Sequence, residues 1–136
     1  MDKIEHIGIA VKDLEKSEEL FSKLFHTKVY KRETVTSQNV ITSFMRVGPN
    51  KIELLQSTTE DGVINKFIEK KGEGFHHIAF RVQDLKAEMA RLKSEGYRLL
   101  SEEPQQGADN KIICFLHPKS TGGMLVELVQ DNFSPK

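Results

Sequence analysis

The chain carries no excess of either charge: 20 Lys and Arg balance 20 Asp and Glu over 136 residues. Nucleic acid is therefore not expected as the main partner, because a phosphate backbone selects a basic surplus. A small anionic ligand held by a local basic loop stays compatible with that balance. There is one cysteine, Cys114, so no disulfide can close within the chain. That fits a reducing compartment. Cys114 lies in the apolar run Ile112-Ile113-Cys114-Phe115-Leu116 and reads as a small buried hydrophobe, not a nucleophile or ligand. No apolar run approaches the roughly 20 residues that span a bilayer. The opening Met1-Asp2-Lys3-Ile4-Glu5 has neither secretory nor transit character. These absences predict a cytoplasmic protein with no membrane partner. The length suits one domain with a hydrophobic core that needs no staples.

What the chain does have is a repeat. His6-Ile7-Gly8-Ile9-Ala10-Val11-Lys12-Asp13-Leu14 returns as His77-Ile78-Ala79-Phe80-Arg81-Val82-Gln83-Asp84-Leu85, 71 residues later. Each half closes on an acidic strand, Ile52-Glu53-Leu54-Leu55-Gln56 and Val126-Glu127-Leu128-Val129-Gln130, with the two Glu 74 apart. Period-2 alternation makes residues 4–11 a strand, with His6, Gly8 and Ala10 on one face. Asp13 is placed to cap a helix over 14–26, with Leu14, Ser17, Leu20, Phe21, Leu24 and Phe25 at helical spacing. Strands follow at 28–35, 40–47 and 51–56, then a loop and short helix over 57–71. Gly72-Glu73-Gly74 breaks the chain and the plan restarts. A strand covers 75–82, Asp84 caps a helix that ends near Gly96, and strands are expected at 97–100, 111–117 and 124–130. The expected fold class is α+β: two tandem βαβββ modules, about 1–71 and 72–136, forming a half-open cupped sheet around a metal site.

Two strand-borne His and two strand-borne Glu at matching repeat positions point to a set of four metal ligands: His6, Glu53, His77 and Glu127. Mixed imidazole and carboxylate donors suit Co, Ni, Zn, Mn or Fe better than Ca or Mg. One divalent ion is expected, neutralised by two carboxylates. Open positions on it would let a substrate bind the metal directly. The bland alternative for Glu53 and Glu127 is a solvated face of an open sheet. His76 alternates onto the face opposite His77 and reads as a packed imidazole. His26 suits a helix C-terminus. His117 is placed to position the turn Pro118-Lys119-Ser120. The remaining Lys and Arg read mostly as solvated faces.

With those residues in hand, the chain resembles the vicinal oxygen chelate superfamily, the glyoxalase/bleomycin-resistance group, over nearly its whole length. Within it the sequence is most similar to the methylmalonyl-CoA epimerase family. The similarity is carried by His6-Ile7-Gly8-Ile9-Ala10-Val11, Ile52-Glu53-Leu54-Leu55, Gly74-Phe75-His76-His77-Ile78-Ala79 and Ser101-Glu102-Glu103-Pro104. The stretch His117-Pro118-Lys119-Ser120-Thr121-Gly122-Gly123-Met124-Leu125-Val126-Glu127-Leu128 is the most specific.

The resemblance implies an acyl-CoA substrate, a homodimer and reversible proton transfer at the carbon between a thioester and a carboxylate. Inversion needs a proton carrier on each face of a planar enolate. Glu127 and Glu53 are assigned those roles. Lys119 and Ser120 are assigned to the substrate's carboxylate or thioester region, and Gln38 to substrate contact. Two departures stand out. Family members commonly show Gln-Gly-Val where this chain has Gln38-Asn39-Val40. Some carry a Glu, proposed as a base, where this chain has Thr42. Some also carry Gln at the place of Glu53. The alternatives are a glyoxalase I-type lactoylglutathione lyase, or a small-molecule-binding protein of the same superfamily.

Overall fold

Alternating strands and two Asp-capped helices appear where the repeat places them. The computed structural model describes residues 1–132. β1 (Lys3–Ala10), α1 (Leu14–Phe25), β2 (Lys31–Val35), β3 (Val40–Val47) and β4 (Asn50–Ser57) come first. α2 (Val63–Lys71) leads to β5 (Gly74–Arg81), α3 (Leu85–Ser94), β6 (Gln105–Gln106), β7 (Lys111–Leu116) and β8 (Val126–Asp131). The class is α+β, and βαβββ occurs twice. The chain divides into two units, residues 6–76 and residues 1–5 with the chain from His77 onward.

In the 6–76 unit the strand order is β2-β3-β4-β1. β4 pairs antiparallel with β3 and parallel with β1. Asp13 has extended backbone, and its side chain accepts from Lys16 N–H at 3.1 Å, which starts α1. His26 takes the left-handed conformation (φ 54°) that stops it. Val11, Leu14, Met45, Ile52 and Leu54 form the core under α1, with Phe21 and Phe25 against them. Each such side chain contributes about 1.5–3 kcal/mol when fully buried. Leu20 and Leu24 stay exposed, so the apolar stripe of α1 is narrower than its spacing suggested.

The other unit repeats the plan with order β5-β8-β7-β6. Asp84 accepts from Ala87 N–H at 3.1 Å and starts α3. Gly96 follows the helix with φ 92°, a conformation open to glycine. The core is Val82, Leu85, Met89, Leu92, Cys114, Leu116, Val126 and Leu128. Cys114 is fully buried and burial pushes its thiol up, consistent with an inert core residue. Asp2 is tied into this unit by Arg81, whose Nε donates to Asp2 Oδ1 at 2.9 Å.

Both units share one more device. The Gln next to the end of each acidic strand reaches the helix that follows the His strand. Gln56 Oε1 accepts from Leu14 N–H, and Gln130 Oε1 accepts from Leu85 N–H, both at 2.6 Å. Each bond satisfies one of the orphan donors of a helix start.

Three expectations of the strand map are corrected. The strand expected at 97–100 is a single bridge, Leu99 to Leu116. It cannot extend, because Arg98 N–H donates to Ser120 Oγ and Tyr97 N–H to Leu92 O. The partner of β7 is instead Gln105–Gln106, inside the expected loop. β2 begins at Lys31, not 28. Among the described residues no helix is long and apolar enough to cross a membrane.

Candidate metal and proton-transfer site

The two faces of β4 differ in kind. Ile52 and Leu54 point into the α1 core. Lys51, Glu53 and Leu55 alternate onto the other face. Register sets Glu53 beside Gly8 of β1 and Phe44 of β3. Gly8 carries no side chain, so the space beside Glu53 is left to the imidazole of His6. His6 Nε2 lies 2.9 Å from Glu53 Oε2, with both side chains about 6% exposed. Thr42, fully buried, donates Oγ1–H to Glu53 Oε1 at 3.3 Å. Both oxygens of Glu53 are thus addressed by named neighbours.

The second unit builds the same pair. Glu127 stands beside Ala79 of β5 and Phe115 of β7. His77 Nε2 lies 3.1 Å from Glu127 Oε1, both again buried. The ring of Phe115 meets His77 edge-on, centroids 5.9 Å apart. Where the first unit has Thr42, two residues before the aromatic, the second has Ile113. The solvated-face alternative for Glu53 and Glu127 is ruled out by their burial.

The remaining candidates make local contacts of their own. Lys119 is exposed in the 3-10 turn Pro118–Ser120. Its backbone N–H donates to His117 Nδ1 at 3.0 Å, so His117 does hold that turn. Ser120 Oγ accepts from Arg98 N–H at 2.9 Å, a clasp within the unit. Gln38 is half-buried at the end of the 3-10 turn Thr36–Gln38. His76 packs edge-on against Phe67, with centroids 4.8 Å apart.

One lysine is an exception to the mostly solvated basic residues. Lys51 is not on a solvated face: it is 4% exposed, with Nζ 5.3 Å from the Phe44 ring centroid. Period-2 alternation along Lys51-Ile52-Glu53 places it on the face of Glu53. That was the signal available in the sequence.

The donor set can be tested for fit to a metal. A buried carboxylate beside a neutral imidazole leaves a negative charge that burial penalises unless a cation offsets it. Two ligand atoms bound at right angles, each about 2.1 Å from one ion, stand about 3.0 Å apart. The His–Glu separations of 2.9 and 3.1 Å match that edge. The residues in each unit therefore fit a divalent cation.

A family model of the Glyoxalase/Bleomycin resistance protein/Dioxygenase superfamily matches residues 5–115. The chain is 38% identical to the ethylmalonyl-CoA/methylmalonyl-CoA epimerase of Cereibacter sphaeroides, over 94% of this chain and 97% of that one. It is 37% identical to the human mitochondrial methylmalonyl-CoA epimerase, over 96% and 74%. A Streptomyces coelicolor methylmalonyl-CoA epimerase variant in complex with 2-nitronate-propionyl-CoA superposes with TM-score 0.91 at 36% identity, covering 98% of each chain. Lactoylglutathione lyase of Arabidopsis thaliana is more distant, 21% identical over 96% of this chain and 45% of that one.

Proposed function

Because the chain belongs to the glyoxalase/bleomycin resistance protein/dioxygenase superfamily, and within it to the methylmalonyl-CoA epimerases, we infer that it interconverts the C2 epimers of methylmalonyl-CoA. The observation that carries this reading is the repeat-equivalent pair of buried His–Glu contacts, His6–Glu53 and His77–Glu127. The proposal is that His6, Glu53, His77 and Glu127 hold one divalent ion from the Co, Ni, Zn, Mn and Fe group. When bound, such an ion would supply Lewis acidity to the substrate's thioester and carboxylate oxygens.

The protein's own groups move the proton. C2 of the substrate lies between two carbonyl carbons, so its proton is acidic and its conjugate base is a planar enolate. One carboxylate takes the proton from one face, and protonation from the other face completes inversion. Glu127 is assigned to one face and Glu53 to the other. Thr42 has no role as a base near neutral pH. Its hydroxyl orients Glu53 instead. The exposed Lys119 ammonium, Ser120 and Gln38 are proposed to contact the acyl-CoA. A homodimer is proposed as the working assembly. It is supported by the family resemblance and by the sheet edges at β2 and β6, and light scattering at micromolar concentration tests it.

The lyase alternative would use the same donors, but proteins of that activity are the more distant relatives. The deciding assay is C2 deuterium exchange into methylmalonyl-CoA in heavy water, beside a hemithioacetal assay. Exchange without lyase turnover supports the epimerase. Lyase turnover without exchange overturns it.

A further inference from the structure

The face of the sheet that carries Glu127 is apolar around the carboxylate. In register Glu127 stands between Ala79 of β5 and Phe115 of β7. Ile113 and Val129 pair two residues further along the same two strands, so they share that face. Ala79, Ile113 and Val129 are buried as one cluster, and Phe115 packs against it while staying half-buried. Cys114, Leu116 and Leu128 point the other way, into the core with Leu85, Met89 and Leu92 of α3. The cluster beside Glu127 is therefore separate from the core that holds α3.

The repeat gives an internal control. The 71-residue offset that relates His6 to His77 also carries Gly8 to Ala79, Thr42 to Ile113 and Phe44 to Phe115. In the 6–76 unit the matching place is polar, because the Thr42 hydroxyl bonds Glu53. Phe44 is fully buried there, with Lys31 and Lys51 Nζ 5.4 and 5.3 Å from its ring centroid. Phe115 instead meets the His77 imidazole edge-on and keeps accessible surface. Of the two equivalent aromatics opposite the acids, Phe115 is the one with surface left for a ligand.

We propose that Phe115 seats the alkyl group on C2 of the substrate and sets how large that group can be. The proposal rests on the epimerase reading and deepens it by naming the residue that selects among branched malonyl thioesters. C2 bears four groups. The thioester and carboxylate carbons carry oxygens that need polar partners, and the hydrogen must meet a carboxylate. The alkyl group is the one substituent that gains from apolar contact. Phe115 offers that contact in register with Glu127. The cluster behind its ring is closely packed, so an added methylene on the substrate has to displace buried side chains. The repeat equivalent, Phe44, is already covered, so the alkyl group has one seat and not two.

The test is calorimetric binding of methylmalonyl-CoA and ethylmalonyl-CoA, which differ by one methylene, with C2 deuterium exchange measured beside it. Metal-loaded wild type, Phe115→Ala and Phe44→Leu are compared. In Phe115→Ala the affinity ratio should shift toward ethylmalonyl-CoA by about 10-fold or more, the scale of one methylene in an apolar pocket. Phe44→Leu should keep the wild-type ratio. An unchanged ratio in Phe115→Ala, or an equal shift in Phe44→Leu, overturns the assignment. If Phe115→Ala does not fold, Phe115→Leu is read by the same ratio. A ratio that depends on Phe115 in a protein that exchanges C2 of neither thioester supports the alkyl seat and overturns the epimerase reading alone.

Discussion

Thr42 Oγ1 lies 3.3 Å from Glu53 Oε1, and His6 Nε2 lies 2.9 Å from the other oxygen of the same carboxylate. The position at which some family members carry an acid is thus occupied here by a donor that orients one. A second carboxylate at Thr42 would stand against Glu53 in a buried place, where like charges repel strongly.

This arrangement makes the Glu53 and Thr42 substitutions interdependent. Glu53→Gln should lower epimerisation by about 10²-fold or more, the scale of losing a general acid–base group. Thr42→Glu alone should also be impaired, because two buried carboxylates then compete. The double variant Glu53→Gln/Thr42→Glu should recover part of the activity, since the repulsion is gone and one acid is restored. Steady-state kinetics of the four forms decides it. A fully active Glu53→Gln would remove Glu53 from proton transfer.

Glu127→Gln asks the same of the other carrier. An amide oxygen can still ligate, so bound metal should largely persist while epimerisation falls by about 10²-fold or more. Metal content and C2 exchange are measured on one preparation. Loss of metal together with activity would show that Glu127 acts only as a ligand.

Much of this was legible from the chain because it is local. Alternation placed His6 and His77 on strands, and Asp13 and Asp84 cap their helices through i+3 bonds that adjacent residues decide. Other features depend on which strand lies alongside. Lys51 reads as a solvated lysine until its register beside His6 and its contact with Phe44 are known. The stretch 97–100 has the composition of a strand, but Ser120 takes the N–H of Arg98 that a ladder would use. Leu20 and Leu24 sit at helical spacing, yet the sheet covers only the stripe of Leu14, Phe21 and Phe25.

Metal should stabilise as well as activate. If all four ligands hold one ion, loading to 100 times the dissociation constant adds about 2.7 kcal/mol by mass action. Chelation should then lower the melting temperature and remove C2 exchange together, and Co or Mn should restore both. His6→Ala and His77→Ala should abolish the metal-dependent rise in melting temperature while the apo fold survives. A rise that persists in both variants would place the ion elsewhere.

Gln56 and Gln130 should prove structural despite lying so close to the acidic strands' ligands. Replacing either with Ala leaves the N–H of Leu14 or Leu85 without its 2.6 Å acceptor. The expected cost is about 1–2 kcal/mol, as for a lost helix cap. Urea denaturation should show that loss with little change in metal content. A Gln130→Ala protein of unchanged stability would mean that water replaces the side chain at the start of α3.

The acid sensitivity of the 6–76 unit should be traceable to Glu18 on α1. Arg32 Nε donates to Glu18 Oε2 at 2.7 Å, and Ser43 Oγ donates to the same oxygen. Hydrogen bonding from Arg32, then from Ser43, holds the carboxyl below its ordinary value of 4.5, against the opposing effect of burial. A lowered folded value means that the unfolded chain binds the proton more readily. The stabilisation is therefore present in full above the ordinary value and is lost as pH falls through the lowered one. Thermal melts from about pH 6 down to about pH 3 should show this slope in the wild type. Glu18→Gln should be less stable at pH 6 and should flatten the slope, so that the two proteins converge in acid. Arg32 is partly exposed, and added salt should shrink the difference at pH 6. Two curves that stay parallel down to the acid limit would show that Glu18 contributes through packing and not through its charge.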